Sequence, residues 1–144
     1  MGKVVFSLVS KDSEKNYLQA SATSPSFSAT TSFNCQNKDL IDFGKKIKGF
    51  PKTAEQRIDF SIGSGKGKAI FMFKTIKETG LCELWIKIKG LEDDQGNGAE
   101  AFFPIDYLEP SAIESFSLEL IKIGTGHSNL AELKNKFEKN KSPA

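Results

Sequence analysis

Gln36 to Pro51 reads QNKDLIDFGKKIKGFP, and the interpretation of the whole chain turns on these residues. Leu40, Phe43, Ile47 and Phe50 recur at i, i+3, i+7 and i+10, which lays one apolar stripe along a helix. Asn37 is placed to cap the first turn through its side-chain oxygen. Asp39 lies near the positive end of the helix dipole, and Lys45, Lys46 and Lys48 lie near the negative end. Gly49 supplies a left-handed cap residue and Pro51 stops the helix. The spacing therefore predicts a helix over Asn37–Gly49 whose stripe must be buried on something.

The flanking sequence alternates like strand and offers that surface. Val4, Phe6 and Leu8 share one face of residues 3–9. Leu18, Ala20 and Ala22 share one face of residues 16–23, and the run from Phe27 to Cys35 alternates most cleanly, with Ser28, Thr30, Ser32 and Asn34 on its wet side. After the helix, Ile58, Phe60 and Ile62 alternate against Arg57, Asp59 and Ser61. Residues 68–75 form a fifth strand that is apolar on both sides, as Ile70 and Met72 compete with Phe71 and Phe73 for the inner face. In the sixth strand Cys82, Leu84, Ile86 and Ile88 face inward, and Glu83, Trp85, Lys87 and Lys89 face out. A seventh strand covers Ala99–Ile105. Pro110 suits the first turn of a second helix with the stripe Ile113, Phe116 and Leu120. Residues 116–123, FSLELIKI, fit either that helix or a strand. Ser128 caps an expected last amphipathic helix with Leu130, Leu133 and Phe137.

The expected architecture is α+β: one twisted antiparallel sheet of six or seven strands, the Asn37–Gly49 helix packed on one face, and C-terminal helix or helices. Residues 1–126 read as a single domain, and 127–144 as a C-terminal amphipathic helix and tail. A chain of 144 residues suits one core without staples. Hydrophobic content of 38% and charged content of 26% describe an ordinary folded protein. With 20 basic against 18 acidic residues, no strong field is present to gather nucleic acid or an anionic membrane. No apolar run approaches the ~20 residues of a membrane helix. Residues 1–12 read as a first strand and not as a signal peptide. Cys35 and Cys82, the only cysteines, argue against a disulfide scaffold and for a reducing, cytoplasmic setting. Twelve Phe against one Trp and two Tyr point to rings without polar handles, which belong in a core.

Motifs for chemistry are weak. Gly63-Ser-Gly-Lys-Gly-Lys68 lacks the Ser or Thr after the lysine and the following helix that a phosphate loop needs, so it reads as a hairpin turn. Asp93-Asp94-Gln95-Gly96-Asn97-Gly98 resembles the front of a calcium loop but reaches Pro104 where a bidentate Glu is required. His127 is the sole histidine, which leaves no zinc signature and only a Cys–His pair to consider beside an exposed loop histidine and two core thiols. Asp59 and Glu83 are the candidate paired carboxylates, but no cleft is implied around them. The reading is therefore non-enzymatic, with no catalytic residues, cofactor or metal.

The order of these elements resembles the small bacterial WapI-type immunity-like proteins. SPSFSATTSF precedes LIDFGKKIKGFP, and IDFSIGS, GLCELWIKIKG and AFFPIDYLEPSAIESF follow. The resemblance rests on Leu40, Phe43, Ile47, Ile58, Phe60, Gly80, Leu84, Ile86, Phe103, Asp106, Leu108 and Ile113, covering residues 15–121. It implies a protein that binds and neutralises a cognate toxin delivered between neighbouring bacteria, by occluding its active site, and it brings no contact residues with it. Strand parity supplies the candidates. Trp85, Glu83, Lys87, Lys89, Arg57 and Asp59 share the outward side; one reading of the fifth strand adds Met72 and one reading of the seventh adds Phe102, which makes an aromatic patch rimmed by mixed charge. Three outcomes stand open there: a protein partner, a homodimer, or cover by the C-terminal helices. A small-ligand- or nucleic-acid-binding role for the same face is the alternative function.

Overall fold

Two sheets form where one was expected. The computed structural model describes residues 2–53, 55–63, 67–76, 79–90 and 98–135. In chain order its elements are β1 (Lys3–Asp12), β2 (Lys15–Thr23), β3 (Ser28–Gln36), α1 (Asn37–Ile47), β4 (Arg57–Ile62), β5 (Lys68–Thr75), β6 (Cys82–Lys89), β7 (Glu100–Leu108), α2 (Pro110–Gly124) and β8 (Leu130–Lys134). Among the described residues the strands make two antiparallel four-stranded sheets, ordered β3-β2-β1-β8 and β4-β5-β6-β7. The α+β class holds. The single sheet of six or seven strands does not, because α1 carries the chain out of the first sheet before β4 begins the second. Both sheets have largely apolar inner rows, with Asn16 and Thr31 the buried polar groups of the first, and one helix on one face is too little cover for them; the two sheets and two helices cover one another.

Phe6 marks the centre. Its ring lies 5.8 to 6.4 Å from those of Phe33 on β3, Phe43 on α1, Phe71 on β5 and Phe116 on α2. One side chain thus touches both sheets and both helices, at separations typical of edge and tilted aromatic pairs. Phe43 is fully buried and stacks on Phe60 at 4.5 Å. The stripe predicted on α1 is the buried one: Leu40, Phe43 and Ile47.

The ends of α1 follow the predicted logic with one substitution. Gln36, not Asn37, is the cap residue, and its backbone N–H donates to Asp39 Oδ2 at 2.8 Å. Asn37 Oδ1 is turned to another task, accepting from buried Asn16 Nδ2 at 2.8 Å. Gly49 has φ +76°, the left-handed conformation that favours glycine.

The α1 stripe does not rest on a sheet alone, because α2 runs antiparallel beside it. Ser117 Oγ donates to the Gly44 carbonyl at 2.7 Å. A Cβ on Gly44 would meet the Ser117 carbonyl at 2.7 Å, and one on Gly124 would meet the Asn37 carbonyl at 2.9 Å. Both glycines are what lets the helices approach this closely. Residues 116–123 are helical and complete α2, which starts at Pro110 as expected.

The expected last helix from Ser128 is overturned. Residues 130–134 form β8, antiparallel to β1 with Val4 opposite Leu133 and Phe6 opposite Ala131. Ala131 and Leu133 are buried and Leu130 is exposed, so the residues that count alternate at period 2. Ser128 Oγ accepts from the Leu130 N–H at 3.2 Å, closing a local turn that leads into the strand. The segment expected to be an appended helix is therefore part of the first sheet, and Phe137 lies outside the described residues.

Candidate functional site

The outer face of the second sheet reads as four rows, because residues paired across antiparallel strands point the same way. Arg57, Lys74 and Glu83 stand side by side in the first row, and Asp106 ends it on β7. Asp59, Met72, Trp85 and Pro104 form the second. Ser61, Ile70, Lys87 and Phe102 form the third, and Lys68, Lys89 and Glu100 the fourth. The ambiguity of β5 is resolved by burial: Ala69, Phe71 and Phe73 are in the core, so Ile70 and Met72 face out. On β7, Phe103 is buried and Phe102 is 53% exposed.

The six residues singled out by parity, Trp85, Glu83, Lys87, Lys89, Arg57 and Asp59, lie on this face, and so do Met72 and Phe102. Trp85 and Phe102 touch, with ring centroids 5.1 Å apart. Lys87 Nζ sits 5.5 Å from the Phe102 centroid, a cation–π distance. Trp85 Nε1 donates to Glu83 Oε1 at 3.0 Å. Arg57 and Asp59 pair with each other, at 3.0 and 3.1 Å, at the far edge. Among the described residues no C-terminal helix covers Trp85, since α2 packs on α1 and β8. Ile70, Met72, Trp85, Phe102 and Pro104 thus make one continuous apolar surface between two charged rows.

The paired carboxylates are not Asp59 and Glu83. Those two stand in different rows, and Glu83 pairs instead with Asp106. A bulge between Cys82 and Leu84 puts Asp106 and Tyr107 together opposite Glu83, and Tyr107 takes φ +59° to make it. Burial pushes the Asp106 carboxyl up, and the hydrogen bond and repulsion from Glu83 push it further. Burial also acts to raise Glu83, but hydrogen bonds from Lys74, Asp106 and Trp85 more than offset it and hold that carboxyl low. Lys74 Nζ lies 3.2 Å from Glu83 Oε1. The two carboxyls are thus pushed apart, Asp106 up and Glu83 down. Asp106 keeps the parity of Phe102 and Pro104, but the strand expected over Ala99–Ile105 ends one residue before it; the bulge reverses parity only beyond it, where Leu108 is buried.

Elsewhere the candidates separate. His127 is exposed, with Nδ1 3.0 Å from Thr125 Oγ1, whereas Cys35 and Cys82 are free and buried in different sheets. Desolvation pushes the Cys35 thiol up to about 12, helped by Asp39, and the Cys82 thiol up to about 11. Among the described residues, no three His, Cys, Asp or Glu side chains gather as a metal site. No described helix is long and apolar enough to cross a membrane. The Gly63–Lys68 turn lies only partly within the described residues, and the acidic 93–97 stretch lies outside them. No protein-family model matches this chain, and no curated protein and no solved structure matches it.

Proposed function

We propose that this protein is a non-enzymatic binding protein whose partner seats on the outer face of the second sheet. The observation that carries the reading is the Trp85–Phe102 pair, 5.1 Å apart on an apolar strip that no described helix covers. Trp and Met are enriched in binding patches, and a central aromatic framed by polar groups is where binding energy concentrates. The partner we propose is a cognate bacterial toxin, neutralised by occlusion, as the resemblance to WapI-type immunity-like proteins implies. An occluding interface on the order of 1,600 Å² would need the face together with its flanking loops. The reading takes the protein as cytoplasmic, which two buried free thiols suit.

The test is genetic. Where a toxin gene adjoins this one, deleting this gene alone kills the cell; the wild-type chain restores growth and Trp85→Ala does not. Survival of the deletion, or full rescue by a folded Trp85→Ala chain, overturns the reading.

A second reading has its own observation. Lys87 lies over the exposed Phe102 ring, and stacked rings among lysines on a sheet suit single-stranded nucleic acid. Binding of a single-stranded oligonucleotide that falls steeply between 50 and 200 mM salt would favour it, using the salt range in which such contacts are lost (~10³-fold or more).

A further inference from the structure

The order of charge across the outer face is directional. In the first row the signs run plus, plus, minus, acid from β4 to β7: Arg57, Lys74, Glu83, Asp106. In the fourth row they run plus, plus, minus: Lys68, Lys89, Glu100. Basic groups therefore occupy the β4–β5 half at both ends of the apolar strip, and acids occupy β7. Asp59 on β4 and Lys87 and Lys89 on β6 stand outside that order, so it is the first row that has opposite signs in its two halves, and that row is complementary to itself under one operation, a two-fold rotation about an axis parallel to the strands and running between β5 and β6.

We infer that the partner this face fits is a second copy of the same chain, docked sheet on sheet about that axis. The inference rests on the reading of this face as a binding surface and names its resident occupant. The rotation sets β4 over the copy's β7 and β5 over its β6, and each row meets itself. Lys74 then faces the copy's Glu83, and Arg57 faces its Asp106, each contact occurring twice as isologous symmetry requires. Met72 meets the copy's Trp85, and Ile70 meets the alkyl stem of its Lys87. Near-parallel strands are the aligned mode of sheet packing. Turning the axis by a right angle instead sets Lys74 against Lys68 and Asp106 against Glu100, like against like, and leaves Glu83 against Lys89 as its opposite-charge contact.

One feature of the chosen geometry is unfavourable: Lys68 meets the copy's Lys89. Four strands at ~4.8 Å and eight residues at ~3.3 Å give a footprint of roughly 500 Å² per copy. About 1,000 Å² in total is the lower limit for a specific interface, so the dimer is weak and concentration-dependent. A toxin using the same face would displace the second copy.

Sedimentation velocity over a concentration series tests this, with circular dichroism to confirm folding. The wild-type chain is expected to pass from monomer to dimer in the micromolar range. Lys74→Glu is expected to raise the dissociation constant at least tenfold, and Lys74→Glu with Glu83→Lys to restore it, because the swap rebuilds each pair with reversed sign. Lys89→Glu is expected to tighten the dimer by removing the one like-charge contact; the right-angled dimer would instead be weakened, as it pairs Lys89 with Glu83. A chain that stays monomeric to millimolar concentration, a Lys74→Glu chain that dimerises as well as the parent, or a Lys89→Glu chain that dimerises less well overturns the proposal. A monomeric chain that loses growth protection with Trp85→Ala leaves the binding reading standing and removes only the second copy. A dimer disrupted by Lys74→Glu, in a cell that the gene does not protect, removes the toxin and leaves the dimer.

Discussion

The two sheets bury equivalent inner faces and show unlike outer ones. On the first sheet the outward rows mix Ser7, Gln19, Ser21, Thr30, Ser32 and Asn34 with the charged Lys3, Lys15, Glu132 and Lys134 and with Val5, Tyr17 and Leu130. On the second they hold Trp85, Phe102, Met72, Ile70 and Pro104 between charged ends. Both sheets alternate equally well, so alternation alone does not mark a working surface. What marks it is apolar area gathered side by side outside the core, as Met72, Trp85, Pro104 and Phe102 are.

The largest expected effect tests the inner half of that comparison. Phe43→Ala should cost ~3–5 kcal/mol in a denaturant melt, the range for a buried aromatic in a packed core. Lys46→Ala, exposed on the same helix, should cost about 0.5 kcal/mol or less. Equal losses would show that α1 does not face as described.

Next in size is the outer half. Trp85→Ala should weaken partner binding or self-association by at least ~2 kcal/mol while the fold survives. Gln19→Ala on the first sheet should change neither. If the tryptophan variant unfolds, Trp85 belongs to the core; if Gln19→Ala matches it, the two faces do not differ in function.

Asp106→Asn sharpens the comparison by chemistry. A carboxyl whose folded pKa is raised is disfavoured when ionised, so it subtracts stability above its ordinary range, and that loss fades as pH falls through the raised value. The variant keeps a donor for Glu83 and removes the repulsion. It should melt above the parent at pH 8, with a smaller gap at pH 4, in thermal scans at both pH values. Glu83, held low, works the other way: its contribution is present at neutral pH and lost as pH falls through its depressed value.

The smallest effect is the absence of one. Cys35 and Cys82, one in each sheet, should both label slowly with a thiol reagent at pH 8 in native buffer and rapidly in denaturant. Fast native labelling of either would turn its strand over.

Period-2 alternation placed seven strands and the faces of six candidate residues, because it reports which way a side chain points. It does not report which strand lies alongside, and so it could not divide β1–β3 from β4–β7. Leu130 and Leu133 also stand at helical spacing, which hid β8; Ala131, the residue that decides the period, is too small to weigh in a pattern of large apolar groups. At Leu108 the rule itself failed, since the bulge at Tyr107 breaks the count and turns Leu108 inward.

β8 has a consequence for the order in which the molecule can be completed. It lies beside β1, and the Asn135 N–H donates to the Gly2 carbonyl at 2.8 Å. During synthesis the first hairpin leaves the ribosome with one edge of β1 unpaired, and the strand that covers it is made after every other element. Translation at ~5–20 residues per second leaves that edge open for several seconds. An exposed strand edge is a template for foreign pairing. The nascent chain thus carries an open edge on β1 until residues 130–134 are made, and a ribosome stalled before residue 130 leaves a sheet that cannot close.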